Sequence, residues 1–283
     1  MLSSHLNNLE LTALIGASSI LAGFLGALTG LGGGVVIVPV LVLGFGIDIH
    51  YAAGASLICV IATSCVSSRK YVREKRSNIR TGMVLEIATT TGAVLGANFA
   101  ARADASLIAT ILGLVLLLTV FTSGKRSVNV AERPPDRVST WLRLDGTYPA
   151  KHGPKDYHVY NVPGGFVLMF VAGGLSGLLG IGSGAMKMLA MDRVMKMPFK
   201  VSTTTANFMI GVTACASAGV YMEQGYINPE LAMPVMLGVL VGTTLGTLVF
   251  AKANVDSLRW VSRLLIAMIA AEMLYKGLTG GGL

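Results

Sequence analysis

The sequence predicts an all-α polytopic membrane protein built from two inverted repeats of about five helical elements each, with eight long spans and two short or broken helices. Three observations carry that prediction. Of 283 residues, 53% are apolar and only 13% charged, about half the charge of ordinary soluble domains. The 35 glycines follow no collagen period and fall inside long apolar stretches, as small residues do where membrane helices pack closely. The 22 Lys and Arg, against 14 Asp and Glu, gather mostly between apolar runs, so the net charge of +8 is first a topology signal. A mean hydropathy of +0.68 excludes a disordered chain.

A hydrocarbon core of ~30 Å requires about 20 mainly apolar residues per helix. The first repeat, 11–122, opens with a run at 11–29. A glycine cluster then precedes a piece at 33–47, about 15 residues long and short of a comfortable crossing. Spans at 50–68, 81–101 and 105–122 complete this half. The segment 123–163 contains Pro134, Pro135, Pro149, Pro154 and mixed charges and reads as a linker with room for a little local structure. The second repeat, 164–276, has the same plan: 164–181, a short piece at 183–197, then 200–218, 230–250 and 258–276. Whether the short pieces cross or re-enter stays open; either way they form the second element of each half.

Sliding the chain against itself by 150 residues aligns the halves without gaps over roughly 80 positions. Gly23, Gly30, Gly32 and Gly34 fall on Gly173, Gly180, Gly182 and Gly184; Thr63 falls on Thr213, Asn78 on Asn228, and Gly92 and Gly96 on Gly242 and Gly246. The charge pattern is reversed between them. Arg69, Lys70, Arg73, Lys75, Arg76 and Arg80 crowd the loop after the 50–68 span, whereas its counterpart at 219–229 has Glu223 and no Lys or Arg. By the positive-inside rule the basic loop and the basic 123–163 linker are cytoplasmic, the 219–229 loop lies opposite, and both termini are extracytoplasmic. Inverted repeats with discontinuous helices are a recurring plan of secondary transporters, whose sites lie near the midplane where the repeats meet.

Other classes fit poorly. A nucleic-acid partner needs a basic face interleaved with aromatics on a soluble module, and none is present. Cys59, Cys65 and Cys215 lie in apolar stretches without metal-site or disulfide spacing. The four His, at 5, 50, 152 and 158, are scattered, and no catalytic triad or metal cluster is visible, so neither an enzyme nor a cofactor is predicted. The first ten residues lack Lys and Arg and the first apolar run is too long for a cleaved secretory signal.

The paired motifs Gly30-Leu31-Gly32-Gly33-Gly34 and Gly180-Ile181-Gly182-Ser183-Gly184, with Ala-Ser-Leu at 55–57 and Thr-Ala-Asn at 205–207, resemble the TauE/SafE family of sulfite and organosulfonate exporters. The resemblance covers both repeats and leaves out the linker. It implies a transporter of the bacterial inner membrane moving a small sulfur-containing anion such as sulfite, sulfoacetate or another organosulfonate, usually outward. Two positions depart from the pattern: Ala55, where a Thr often precedes the serine, and Ser183, which adds a hydroxyl that its counterpart Gly33 lacks.

The residues suggest how such an anion would be held. Glycines let the backbone turn or unwind, and exposed helix starts at Gly32, Gly33 and Gly34 and at Gly182, Ser183 and Gly184 would offer N–H groups to an oxyanion; the competing reading is close helix packing alone. Ser56, Thr203, Thr205 and Asn207 could donate to sulfonate oxygens, although hydroxyls in a helix often bond their own backbone and Asn207 could equally bridge helices. Lys187 stands in an apolar setting just past the second cluster. It is a candidate anion contact, with snorkelling to an interface as the alternative. Glu86, inside the 81–101 span, could carry a coupling proton or pair with the nearby basic loop. Asp192, Arg193 and Lys196 read as a surface cluster. An anion channel of the same architecture is the rival to a carrier, and a homodimer suits a bundle this small.

Overall fold

The computed structural model describes residues 8–29, 33–73, 77–122, 136–150, 153–250 and 255–279. The first half comprises α1 (Asn8–Thr29), α2 (Gly34–Pro39) running into a π-turn at Val40–Gly44, α3 (Ile49–Arg73), α4 (Ile79–Ala100) and α5 (Ala105–Thr122). A short helix α6 (Arg137–Leu142) and an antiparallel hairpin, β1 (Gly146–Ala150) with β2 (Gly153–Tyr157), lie between the halves. The second half comprises α7 (Val162–Leu179), α8 (Gly184–Leu189) with its own π-turn at Ala190–Val194, α9 (Phe199–Glu223), α10 (Pro229–Phe250) and α11 (Val255–Thr279). Among the described residues, α3, α4, α7 and α10 are long and apolar enough to cross a membrane; Thr12–Gly26 and Ala105–Val120 are apolar but shorter. Large apolar side chains such as Leu21, Ile87, Leu114, Val167, Leu237 and Met268 point outward, as a lipid-facing surface requires.

The short second elements are alike in detail. Ile47 N–H bonds the Leu41 carbonyl at 3.2 Å and Met197 N–H bonds that of Met191 at 2.9 Å, each closing a wide turn around a left-handed residue, Gly46 (φ 65) or Lys196 (φ 56). Pro39 precedes the first π-turn and Leu189 the second, so the missing N–H of a proline does not explain why both helices widen.

Packing follows exchange of the halves. α1 packs on α10 as α7 packs on α4, α3 meets α9, and α5 lies against α11. Backbone touches backbone at the first two crossings. A Cβ on Gly23 would lie 2.6 Å from the Val239 carbonyl oxygen, and one on Gly173 would collide with that of Thr89; Gly242 meets the Ile20 carbonyl and Gly92 that of Phe170. Each of these contacts is the 150-residue image of another. These repeat glycines therefore serve helix packing.

The described part of the linker docks on the bundle. Asn78 caps α4, its Oδ1 accepting from Thr81 N–H at 3.0 Å, while its amide donates to the Leu144 carbonyl at 2.7 Å and to Tyr157 Oη at 2.8 Å. Leu144, Tyr157 and Val159 join a buried cluster with Leu85, Met169, Met195 and Met209. Burial pushes the Tyr157 phenol up to about 12. Asp145 is pushed upward by burial, but hydrogen bonds from Val159 N–H, His158 and Ser139 outweigh this and hold its carboxyl below the usual range.

Candidate functional site

The site is built where the second broken helix meets α9 and α4. α7 ends at Gly180, left-handed at φ 67, whose N–H bonds the Ser176 carbonyl at 2.9 Å. Gly182 (φ 75) and Ser183 (φ 40) keep the chain left-handed up to the start of α8. Ser183 is not a residue that takes this conformation freely; its hydroxyl bonds back to the Ala172 carbonyl at 2.6 Å and pins the break to α7. One turn into α8, Lys187 points into the protein with no exposed surface.

Its ammonium donates to the Met209 carbonyl at 3.3 Å and to Thr213 Oγ1, both on one turn of α9. Glu86 reaches the same hydroxyl from α4: Thr213 Oγ1 donates to Glu86 Oε1 at 2.5 Å, and Thr90 Oγ1 donates to it at 3.3 Å. The two charges are joined through a hydroxyl that accepts from the cation and donates to the carboxylate. Buried charges survive only where paired and hydrogen-bonded, and Thr213 lets both be. The network is nonetheless incomplete. An ammonium has three N–H donors, and two find acceptors among the described residues. Glu86 Oε2 is buried with no hydrogen-bond partner among them, as is Ser176 Oγ on α7. Open donor and acceptor capacity inside a low-dielectric core is what a polar guest or a proton can use.

The other candidates lie elsewhere or are engaged. Gly32, with Gly30 and Leu31, falls outside the described residues. Gly33 is right-handed at φ −61. The remaining glycines of the two clusters do approach one another: a Cβ on Gly34 would meet Val60, Ser56 Oγ and, at 3.3 Å, the Ile181 carbonyl oxygen, and one on Gly182 would meet Val60 and Ile210. Gly184 is buried at the first position of α8. Ser56 Oγ donates to the Gly34 carbonyl at 3.4 Å. Thr203 bonds its own helix at the Phe199 carbonyl, 2.8 Å, as Thr204 bonds Lys200 and Val201. Thr205 Oγ1 accepts from Asn78 N–H at 3.0 Å, tying α9 to the capped end of α4. Asn207 is half-buried, and its carbonyl accepts from Ser64 Oγ on α3 at 2.5 Å.

Of the residues singled out in sequence, the structure thus joins Lys187 and Glu86, and it adds Thr213. Thr213 was visible only as the repeat partner of Thr63; nothing in the apolar run around it marked it as the link between two ions. Asp192 is largely buried while Arg193 and Lys196 are exposed.

The family model described as "Sulfite exporter TauE/SafE" matches residues 15–273. Curated relatives agree in kind. The chain is 26% identical to "Probable membrane transporter protein YunE" of Bacillus subtilis, over 92% of this chain and 96% of that protein. It is 25% identical to the same organism's "Probable membrane transporter protein YdhB", over 80% and 84%. The "Probable membrane transporter protein MJ0441" of Methanocaldococcus jannaschii is 23% identical over 90% of this chain and 92% of its own. No solved structure matches the chain.

Proposed function

The chain belongs to the TauE/SafE sulfite exporter family, and from that premise we propose that it is a secondary transporter of a small sulfur-containing anion such as sulfite, sulfoacetate or another organosulfonate. It is a multi-pass membrane transporter and not an enzyme; the anion, the carrier mechanism and outward direction are our reading. The observation that carries it is the fully buried Lys187, set one turn past a backbone break and held by Thr213 and Met209 with donor capacity to spare. A buried cation attracts an anion strongly and offsets part of its desolvation.

In this reading the two halves are inverted repeats, with the linker cytoplasmic and both termini outside. α2 and α8 are the discontinuous helices of an alternating-access carrier. The site is Lys187 and Thr213, with the Gly182–Gly184 break beside them and Gly33, Gly34 and Ser56 across from that break. A bacterial inner membrane and a homodimer complete the proposal.

Purified protein in proteoliposomes tests it. Unlabelled sulfite or sulfoacetate on one side should accelerate entry of the labelled anion from the other, and Lys187→Gln should weaken binding by about tenfold or more. Unrestricted electrodiffusive flux would instead make the protein a channel. Loops near Arg73 and Glu223 should label from opposite faces; labelling from one face would remove the inverted arrangement.

A further inference from the structure

We propose that Glu86 is the resident counter-anion of Lys187, and that a substrate anion takes its place only when Glu86 receives a proton, so that one proton moves with each anion. This rests on the anion-transport reading above and adds the co-transported ion, its carrier and its stoichiometry.

The argument is charge counting in a buried space. Lys187 and Glu86 sum to zero, bridged by Thr213. A monoanion added beside Lys187 would leave one uncompensated negative charge in the core, a state that proteins avoid. Protonating Glu86 restores neutrality. The geometry provides for both events: Oε2 has no donor among the described residues and is where the proton sits, and the ammonium retains an N–H for the incoming oxygen. Thr213 then needs only to turn its hydroxyl from Oε1 to the Met209 carbonyl, an acceptor already at 2.9 Å. The proton comes from water on whichever face is open and returns to water on the other.

No other ionisable group facing Glu86 is available for this role among the described residues. α7 contains none. On α4, Arg80 is exposed and bonds the Arg143 carbonyl. On α9, Lys200, Cys215 and Glu223 are exposed, and Tyr221 donates to the Leu178 carbonyl. Past α8, Asp192 lies with Arg193 and Lys196. Coupling of this sign makes transport of a monoanion electroneutral and lets the pH difference favour entry, so export proceeds only when the anion gradient exceeds it.

The test uses the full chain and isethionate, a sulfonate that stays monoanionic across the working pH range. Affinity should fall about tenfold per pH unit over the range in which Glu86 loses its proton. An inward isethionate gradient should acidify the liposome lumen and be indifferent to an imposed membrane potential. Glu86→Gln should bind with pH-independent affinity and sustain isethionate exchange while losing proton movement. The wild-type measurements stand alone if that variant fails to fold. Isethionate binding that is flat with pH, or Glu86→Gln that still moves protons with the anion, overturns the coupling and leaves the transport reading intact. Absence of binding for the whole panel of sulfite, sulfoacetate, taurine and isethionate, in wild type at every pH, removes the transport reading and the coupling with it.

Discussion

The two halves share one scaffold and differ in what they place at its centre. In the second half, Lys187 follows the break and Thr213 lies on the next long helix, with Glu86 reaching them from α4. The 150-residue images of these three are Ile37, Thr63 and Met236. Thr63 donates to the Cys59 carbonyl at 2.9 Å, where Thr213 has the equivalent acceptor, the Met209 carbonyl, at the same distance but turns its hydroxyl to Glu86, and Ile37 is as deeply buried as Lys187. Around a shared threonine, one set therefore has two ionic side chains and the other two apolar ones, Ile37 and Met236, on equivalent backbones. The same backbone forms without the charges in the first half, which suits the anion-binding role proposed for them.

That comparison can be broken by transplanting one set onto the other. Lys187→Ile or Glu86→Met alone strands a buried charge and should destabilise by about 3–5 kcal/mol, whereas the double variant should recover most of the loss. Unfolding transitions in detergent decide it. A double variant as unstable as the sum of the singles would mean the two do not act as a pair. Anion binding should vanish in the two variants that lack Lys187 and persist in folded Glu86→Met, where the ammonium has lost its resident counter-charge.

The crossings, by contrast, should respond alike in both halves. Gly23→Ala and Gly173→Ala each drive a Cβ into a facing carbonyl and should cost about 1–3 kcal/mol. A large difference between them would show that the α1–α10 and α4–α7 crossings are not equivalent. The wide turns offer a smaller contrast. Lys196→Gly relieves a left-handed residue where the other half already has Gly46, and should stabilise by about 1 kcal/mol; Gly46→Lys should do the reverse.

The smallest effect concerns the linker, which has no counterpart. The folded carboxyl of Asp145 is held below its unfolded value, so its contribution is present above the unfolded pKa of about 3.9 and disappears as pH falls through the lower folded one. Protection of the Val159 amide, relative to its intrinsic exchange rate at each pH, should fall on acidification, and Asp145→Asn should show reduced protection at every pH.

Much of this was legible from residues alone, for physical reasons. The apolar runs located the long helices, because hydropathy reports the thickness that must be covered. It does not report where a hydrogen-bond ladder stops. α9 continues to Glu223, about five residues beyond its apolar run, because a helix ends at a breaker such as Gly225 (φ 76) rather than at a polar boundary, and α3 is likewise helical past its apolar run as far as Arg73. The π-turns left no signal, since one is preceded by proline and the other by leucine. Lys187 and Glu86 drew notice separately as charges in apolar runs, and both broke the repeat symmetry. That they converge on one hydroxyl is a long-range fact, 127 residues apart for Thr213 and Glu86, and periodicity cannot see it. The linker hairpin was missed because its prolines and mixed charges concealed a segment held by Asn78 and Asp145.

The glycine crossings set a schedule for biogenesis. α1 fits against α10, and roughly 200 residues separate their facing ends, so at ordinary rates of synthesis the first helix leaves the ribosome about 10–40 s before its mate exists. During that interval its glycine groove faces lipid or a chaperoning insertase. Neither half has a complete interior of its own, and severing the chain within the linker should yield two fragments that assemble only when made together.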